Sequence, residues 1–444
     1  MQIPASGPSD ATAALCVVFI FLLIFAGIGL AVINTGLGRS RSAAHSMMSS
    51  LCVFAVAALV YFLCGFAWQG FAGQPAHVLQ IGGKPWSWLG AGPFLFRHAA
   101  LDGSPASLAA LFGMLSAGLA ALIPLGSGAD RWRLGPCCVS AALLAGWTFP
   151  LFAHWVWGGG WLAQLGVNYG LGAGFVDAGG AATIQAVGGV TALSIAWILG
   201  ARRGKYTRDG MPSAIPGHNS VLVLLGCALA LLGWWGLNSA GAIIFNGAGA
   251  GDAVLVAINT TLCAAASALT AAAITHARFG KPDASLTANG WIGGLAASSA
   301  ACVFVIPAEA VAIGVIAGAL VVFSVEWFEF RMSVDDPGGA ISAHAMGGLW
   351  GVLSVGVFAQ IPARAAGMAG ENASNHQGQW IAQLVGIATL IGFVLPLTYG
   401  LNWLLNRVYP QRVSTEGERH GMDLHELGAG AYPEFLTHNE EFTE

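Results

Sequence analysis

Charge is what this sequence has least of. Only 9% of its 444 residues are Asp, Glu, Lys or Arg, against roughly 25% in an ordinary soluble domain. With 56% of the chain hydrophobic, a soluble fold of this length has no interior large enough to hide it. The net charge is −4, and no basic cluster has the footprint of a nucleic-acid-binding face. The eight cysteines are scattered, mostly within apolar runs and without metal-ligand spacing, so buried thiols are expected. Cys137 and Cys138 are adjacent, which suits no simple disulfide. Residues 1–11 lack the positive start of a signal peptide, so the first apolar run reads as a span. Gly247, Gly249 and Gly251 lack the Gly-Lys-Ser/Thr ending of a phosphate loop, which disfavours ATP-driven transport. No enzyme chemistry, metal or cofactor is implied.

What is present is a series of apolar runs long enough to cross a bilayer, which takes about 20 residues each. The expected spans are 12–33, 49–69, 104–126, 135–156, 179–200, 219–239, 252–276, 287–305, 307–325, 339–360 and 380–406. The chain is therefore read as an all-α polytopic membrane protein of about eleven transmembrane helices. The close pair around 305 is the hardest to separate. Basic residues stay on the cytoplasmic side of short loops. With the N-terminus outside, Arg39, Arg41, Arg131, Arg133, Arg202, Arg203, Lys205, Arg208, Arg278, Lys281, Arg331, Arg407, Arg412 and Arg419 share that side. Only Lys84, Arg97 and Arg364 fall outside, an alternation that a wrong count would scramble. The 63 glycines, about twice the usual ~7%, let helices approach closely. Residues 1–410 form the transmembrane domain on this reading. Residues 411–444, rich in acid, form a cytoplasmic tail too short to be a domain.

A polar stretch, 200–218, divides the spans into five and six. The run Asp177-Ala-Gly-Gly-Ala-Ala-Thr-Ile-Gln185-Ala-Val-Gly-Gly189 recurs as Asp336-Pro-Gly-Gly-Ala-Ile-Ser-Ala-His344-Ala-Met-Gly-Gly348. Both copies open spans, and five crossings separate them, so they run in opposite directions. That is an inverted repeat, the architecture whose sites lie between halves near mid-membrane. Chance matching in a Gly- and Ala-rich protein is the competing explanation.

Polar side chains at membrane depth usually face the bundle interior or a cavity. Gln185 and His344, at matched places, are expected to face each other in one conduit. Interhelical hydrogen bonding alone would explain either residue singly. Asp177 and Asp336 precede helices, where a carboxylate accepts backbone N–H groups. Capping is the main expectation for both, with Asp177 also shaping an outer cation vestibule. Asp335 is read as solvated. Of Trp147, Trp234 and Trp235, Trp147 is the candidate aromatic face for a cation, and the others are assigned to packing.

The chain resembles the ammonium transporters, a family that includes the methylammonium permeases and Rhesus proteins. The resemblance rests on His154-Trp-Val-Trp-Gly-Gly-Gly-Trp-Leu162, Asp177-Ala-Gly-Gly180 with Gln185, and Gly204-Lys-Tyr-Thr-Arg-Asp-Gly-Met-Pro-Ser-Ala-Ile-Pro-Gly-His-Asn219. It continues through Gly233-Trp-Trp-Gly-Leu-Asn238, Val334-Asp-Asp-Pro-Gly-Gly-Ala-Ile-Ser-Ala-His344, Gly421-Met-Asp-Leu424 and Ala431-Tyr-Pro433. It implies five-plus-five inverted spans plus one, a homotrimer in the inner membrane, and one narrow pore per subunit. It further implies a tail that couples subunits and a cytoplasmic face on which PII-type regulatory proteins dock.

The departures bear on mechanism. The family's pore has two histidines, of which the second matches His344 and the first is Gln185 here. Its two stacked phenylalanines map to Ser116 and Leu237, its outer Trp to Leu143 and its recruiting Ser to Gly241. Trp147, one turn after Leu143, is the displaced aromatic candidate. Moving an ammonium-sized ion into low dielectric costs on the order of 20 kcal/mol, so a narrow apolar pore favours neutral ammonia with the proton carried separately. Imidazoles suit that relay, whereas glutamine does not titrate. Three functions stay open: ammonium or ammonia transport, an ammonium-binding sensor with little flux, and transport of another small amine through a widened constriction.

Overall fold

The computed structural model describes residues 8–97, 99–362 and 378–432. Arg364 and the tail beyond 432 lie outside the described residues. Eleven long helical segments follow one another: α1 (Asp10–Leu37), α2 (Ser40–Gln69), α3 (Pro105–Gly128), α4 (Leu134–Val156), α5 (Ala181–Leu199), α6 (Ser220–Asn246), α7 (Asp252–Phe279), α8 (Ala284–Ala301), α9 (Pro307–Met332), α10 (Ile341–Phe358) and α11 (Gln379–Val408). Among the described residues ten are long and apolar enough to cross a membrane. The exception is α8, whose Gly, Ala and Ser residues make it less apolar. It needs no greasy surface, because most of it is buried among its neighbours. Gly294 packs where a Cβ would sit 2.7 Å from the Cys263 carbonyl of α7.

Local chemistry sets the helix ends. Asn219 Oδ1 accepts the N–H groups of Val221 and Leu222 at 3.0 and 3.1 Å at the start of α6, and Gly247 ends it with φ of 65°. Ser104 caps α3 with Pro105 following, and Asp283 accepts the Leu286 N–H at 2.8 Å ahead of α8. Apolar runs understate several helices, α2 and α9 among them. Residues 40–48 of α2 and 326–332 of α9 are polar turns that continue the helix past its apolar part, so the expected spans 49–69 and 307–325 are short.

The loops gather at two ends. At one, Trp161 N–H donates to the Ser87 carbonyl and the Gln360 N–H to the Phe304 carbonyl. Here too the Ala173 N–H donates to Gln379 Oε1. This end also carries an unanticipated antiparallel hairpin, β1 (Ala76–Ile81) and β2 (Lys84–Gly90). Its two-residue turn, Gly82 and Gly83, has φ of 58° and 74°, which glycine adopts freely. The hairpin is locked to α4 by Ser87 Oγ, 2.9 Å from His154 Nε2, while His154 Nδ1 lies 2.7 Å from the Gln69 carbonyl.

At the opposite end a buried ionic cluster joins three connections, α3–α4, α5–α6 and α9–α10. Arg202 donates from Nε to Asp335 Oδ2 at 2.9 Å, from Nη2 to Asp335 Oδ1 at 3.1 Å, and from Nη1 to Asp130 Oδ2 at 3.0 Å. Arg131 donates to the Asp335 and Gly200 carbonyls. Asp335 is therefore not solvated: it is 2% exposed. Burial works against its charge, yet Arg131 and Arg202 hold its carboxyl below the ordinary value.

Part of the tail packs onto this cluster. Helix α12 (Thr415–His420) brings Glu418 to Arg412 Nη2 at 2.8 Å and to the Arg203 N–H at 2.7 Å. Glu426 accepts the Leu134 N–H at 2.7 Å. Burial alone would raise Glu426, but His45, the Leu134 N–H and Arg133 more than reverse it and hold its carboxyl down to about 2. Because its pKa is depressed on folding, Glu426 stabilises the docked tail fully above the ordinary value of 4.5 and progressively less as pH falls towards 2. Proteolysis of residues 411–432 is expected to stay slow from neutral pH to about 5 and to accelerate below 4.5. Glu426→Gln should speed cleavage at neutral pH and flatten that acid step.

Candidate functional site

The two Asp-Gly-Gly segments fold alike. Asp177 Oδ1 accepts the Gly180 N–H at 3.1 Å, while Oδ2 takes the Ala182 and Thr183 N–H groups and the Thr183 hydroxyl at 2.8–3.0 Å. Asp336 accepts the Ala340 and Ile341 N–H groups at 3.1 and 2.8 Å, and the Ser127 hydroxyl at 2.7 Å. In each segment the third residue after the Asp is a glycine with positive φ, 94° at Gly180 and 64° at Gly339. The chain then enters a wide helical turn, Ala181–Ala186 or Ile341–Met346, with the i to i+5 spacing that often marks functional places. Both carboxylates thus act as caps. Asp177→Ala is expected to cost about 1–2 kcal/mol, within the range for lost caps, read as a lower unfolding temperature that Asp177→Asn partly restores.

The two turns bring Gln185 and His344 together at the middle of the bundle. His344 Nδ1 lies 2.7 Å from Gln185 Oε1, with Gln185 fully buried and His344 4% exposed. An amide oxygen only accepts, so in this arrangement Nδ1 carries the hydrogen and Nε2 is the imidazole's lone-pair nitrogen. Gln185 Nε2 has no acceptor among the described residues. The surrounding contacts are reciprocal. A Cβ on Gly189 would sit 2.3 Å from the Ala345 nitrogen, and one on Gly348 would sit 3.0 Å from the Ala186 nitrogen. Each position in one segment thus meets the counterpart of its partner in the other.

The other expected residues are more dispersed. Ser116 on α3 is buried, and its hydroxyl has no partner among the described residues. Leu237 on α6 is buried between Trp234, which donates to Ser299 Oγ, and Asn238, which donates to Thr260 and Ser298. Gly241 is where α6 crosses the Asp177 loop, a Cβ there lying 2.3 Å from the Ala178 carbonyl. Trp147 stands edge-on to Trp68, centroids 5.9 Å apart, and among the described residues no hydrogen bond joins it to Asp177.

The aromatic beside Asp177 is instead Trp157. Its indole N–H donates to the Asp177 carbonyl at 2.8 Å, and its ring stacks on Phe245 at 4.5 Å with Phe112 edge-on at 5.6 Å. The Gly-Gly-Gly run after Trp157 was the available signal. Gly158 and Gly160 fold back so tightly on His154 and Trp155 that neither has room for a Cβ.

Among the described residues, all eight cysteines are free and no group of His, Cys, Asp and Glu side chains could hold a metal ion. A bundle of long apolar helices whose buried polar side chains meet at its centre is that of an integral membrane protein. The sequence model of the Ammonium Transporter Family matches residues 14–432, and the chain belongs to that family. Ammonium transporter Amt2 of Archaeoglobus fulgidus is 36% identical over 428 residues, covering 94% of this chain and 87% of that protein. The ammonium transporter of Bacillus subtilis is 31% identical, covering 92% and 95%. A solved structure described as a sensor Amt protein superimposes with a TM-score of 0.83 at 27% identity, covering 94% and 98%.

Proposed function

We propose that the protein moves ammonium or ammonia across the inner membrane along a path in each subunit lined by Gln185 and His344. The observation that carries this reading is the buried Gln185–His344 hydrogen bond with a buried nitrogen left without a partner among the described residues, Gln185 Nε2. Burying such a donor unpaired costs free energy, and a small solute able to accept its hydrogen, as neutral ammonia can, relieves that cost. Asp177 and Trp157 shape the outer approach, with Ser116 and Leu237 beside the path where the family has larger rings. The reciprocal packing of residues 177–189 and 336–348 supports an inverted repeat of five plus five spans. The basic loops and the docked tail share one end, which supports a cytoplasmic C-terminus and an outer hairpin. A homotrimer, with residues 411–444 as its cytoplasmic tail and a PII-type protein as its regulatory partner, completes the reading.

The likeness to a sensor Amt protein favours a second reading, in which ammonium binds and signals through the tail with little flux. Uptake of ammonium into reconstituted vesicles separates the two. Transport is expected in the wild type, and His344→Ala should reduce it about tenfold, as losing a charged or buried hydrogen bond of roughly 1.5 kcal/mol would do. Flux unchanged by His344→Ala would place the path elsewhere. Saturable binding without flux would select the sensor.

A further inference from the structure

On the tail-bearing end, a recess of about 390 Å³ opens between the α1–α2 turn, the start of α6 and the tail, lined by Arg41, His218, His420, Asp423, Leu424 and Tyr432. A neighbouring recess of about 260 Å³ shares Arg41 and His218 and adds Arg39. The larger volume lies within the range of small-molecule sites, about 300–1,000 Å³. It belongs to none of the residues of the proposed transport path.

Its border carries two cations without a carboxylate partner among the described residues. Arg131, Arg133, Arg202, Arg203, Lys205, Arg278 and Arg412 are all ion-paired. Among the described residues no carboxylate stands within ion-pair distance of the Arg39 or Arg41 guanidinium. Arg41 donates only to the Glu418 carbonyl, at 3.3 Å, and Arg39 is held through its backbone N–H on Asp130. Asp423, the acid in the lining, is already taken by the backbone N–H groups of Ala44, His45 and Ala431. Two unpaired cations therefore border a recess whose walls are rings and apolar stems, with His218 and Tyr432 edge to face at 5.8 Å.

We propose that this recess binds a nucleoside monophosphate, its phosphate on Arg39 and Arg41 and its base among His218, His420 and Tyr432. Guanidinium forks match phosphate oxygens, and flat bases pack on rings. Bare phosphate would leave most of the volume unfilled. One wall is the bundle and the other is the tail, so the bound nucleotide bridges them and holds the tail down.

The test is titration calorimetry on the purified full chain at constant ionic strength, using AMP, adenosine, inorganic phosphate and phosphatidic acid vesicles. AMP is expected to bind saturably, with adenosine and inorganic phosphate each at least about tenfold weaker, and Arg39→Gln/Arg41→Gln should weaken AMP at least about tenfold because charge-assisted hydrogen bonds are the strong ones. Should the double variant fail to fold, His420→Ala, which changes an exposed side chain, is expected to weaken AMP several-fold. Absence of saturable AMP binding, undiminished binding by the folded variant, or a response to phosphatidic acid alone overturns the proposal.

Discussion

Gln185→His is expected to raise selectivity for ammonium over potassium by about tenfold or more, a change of roughly 1.4 kcal/mol between the two barriers. The reasoning starts from the 2.7 Å contact between Gln185 Oε1 and His344 Nδ1. A proton leaving Nδ1 cannot be passed on by an amide that has no titrating form in the physiological range. Imidazole at position 185 restores a second titratable ring, so a proton could travel between the rings while neutral ammonia follows its own route. Potassium has no proton to give up and gains nothing from the relay. The substitution needs little new space, because an imidazole is close in volume to the amide it replaces. Vesicle currents evoked by ammonium and by potassium, compared between the wild type and Gln185→His, check the ratio. An unchanged ratio would make position 185 a helix-to-helix contact only.

The largest effect on stability is expected at Asp335. Asp335→Ala leaves Arg131 buried without its carboxylate and deprives Arg202 of a bidentate partner, with Asp130 remaining. Removing one member of a buried ion pair costs about 3–5 kcal/mol, because the survivor stays buried and uncompensated. The variant should therefore unfold at markedly lower temperature in detergent and yield less assembled protein. The cost of Asp335→Ala should shrink in an Arg202→Met background, a non-additivity that a double-mutant cycle on thermal unfolding measures. Additive losses would show that the two groups do not share one network. Since the cluster ties the α3–α4, α5–α6 and α9–α10 connections to the segment carrying Glu418, weakening it should also loosen the docked tail.

That cluster is also the clearest case of structure hidden from sequence. Charged residues in short loops between spans read as solvated, and nothing in the local pattern around Asp335 announces that two distant loops converge on it. Asp177, Asp336, Gln185 and His344 were legible for the opposite reason. Their roles are local, a cap three to six residues from its N–H groups, and the two copies check each other at constant spacing. The spans were legible wherever lipid demands an apolar surface. They were least legible at α8, where helix neighbours replace lipid and small residues suffice. The aromatic beside Asp177 was missed because spacing along α4 points to Trp147, whereas the chain leaves the helix at Trp157 and folds back through glycines that bring that indole to the Asp177 carbonyl. The hairpin was missed because its strands, only six and seven residues long, lie between two dominant helical signals.

The central claim is that the path runs past a Gln185–His344 pair that cannot relay protons. Recording currents from the same wild-type vesicles under ammonium pulses and then potassium pulses tests it most directly. The account predicts a small ammonium-evoked current, or an ammonium current accompanied by a comparable potassium current if the path stays hydrated. A large ammonium current with no potassium current, unaltered by Gln185→His, would contradict it.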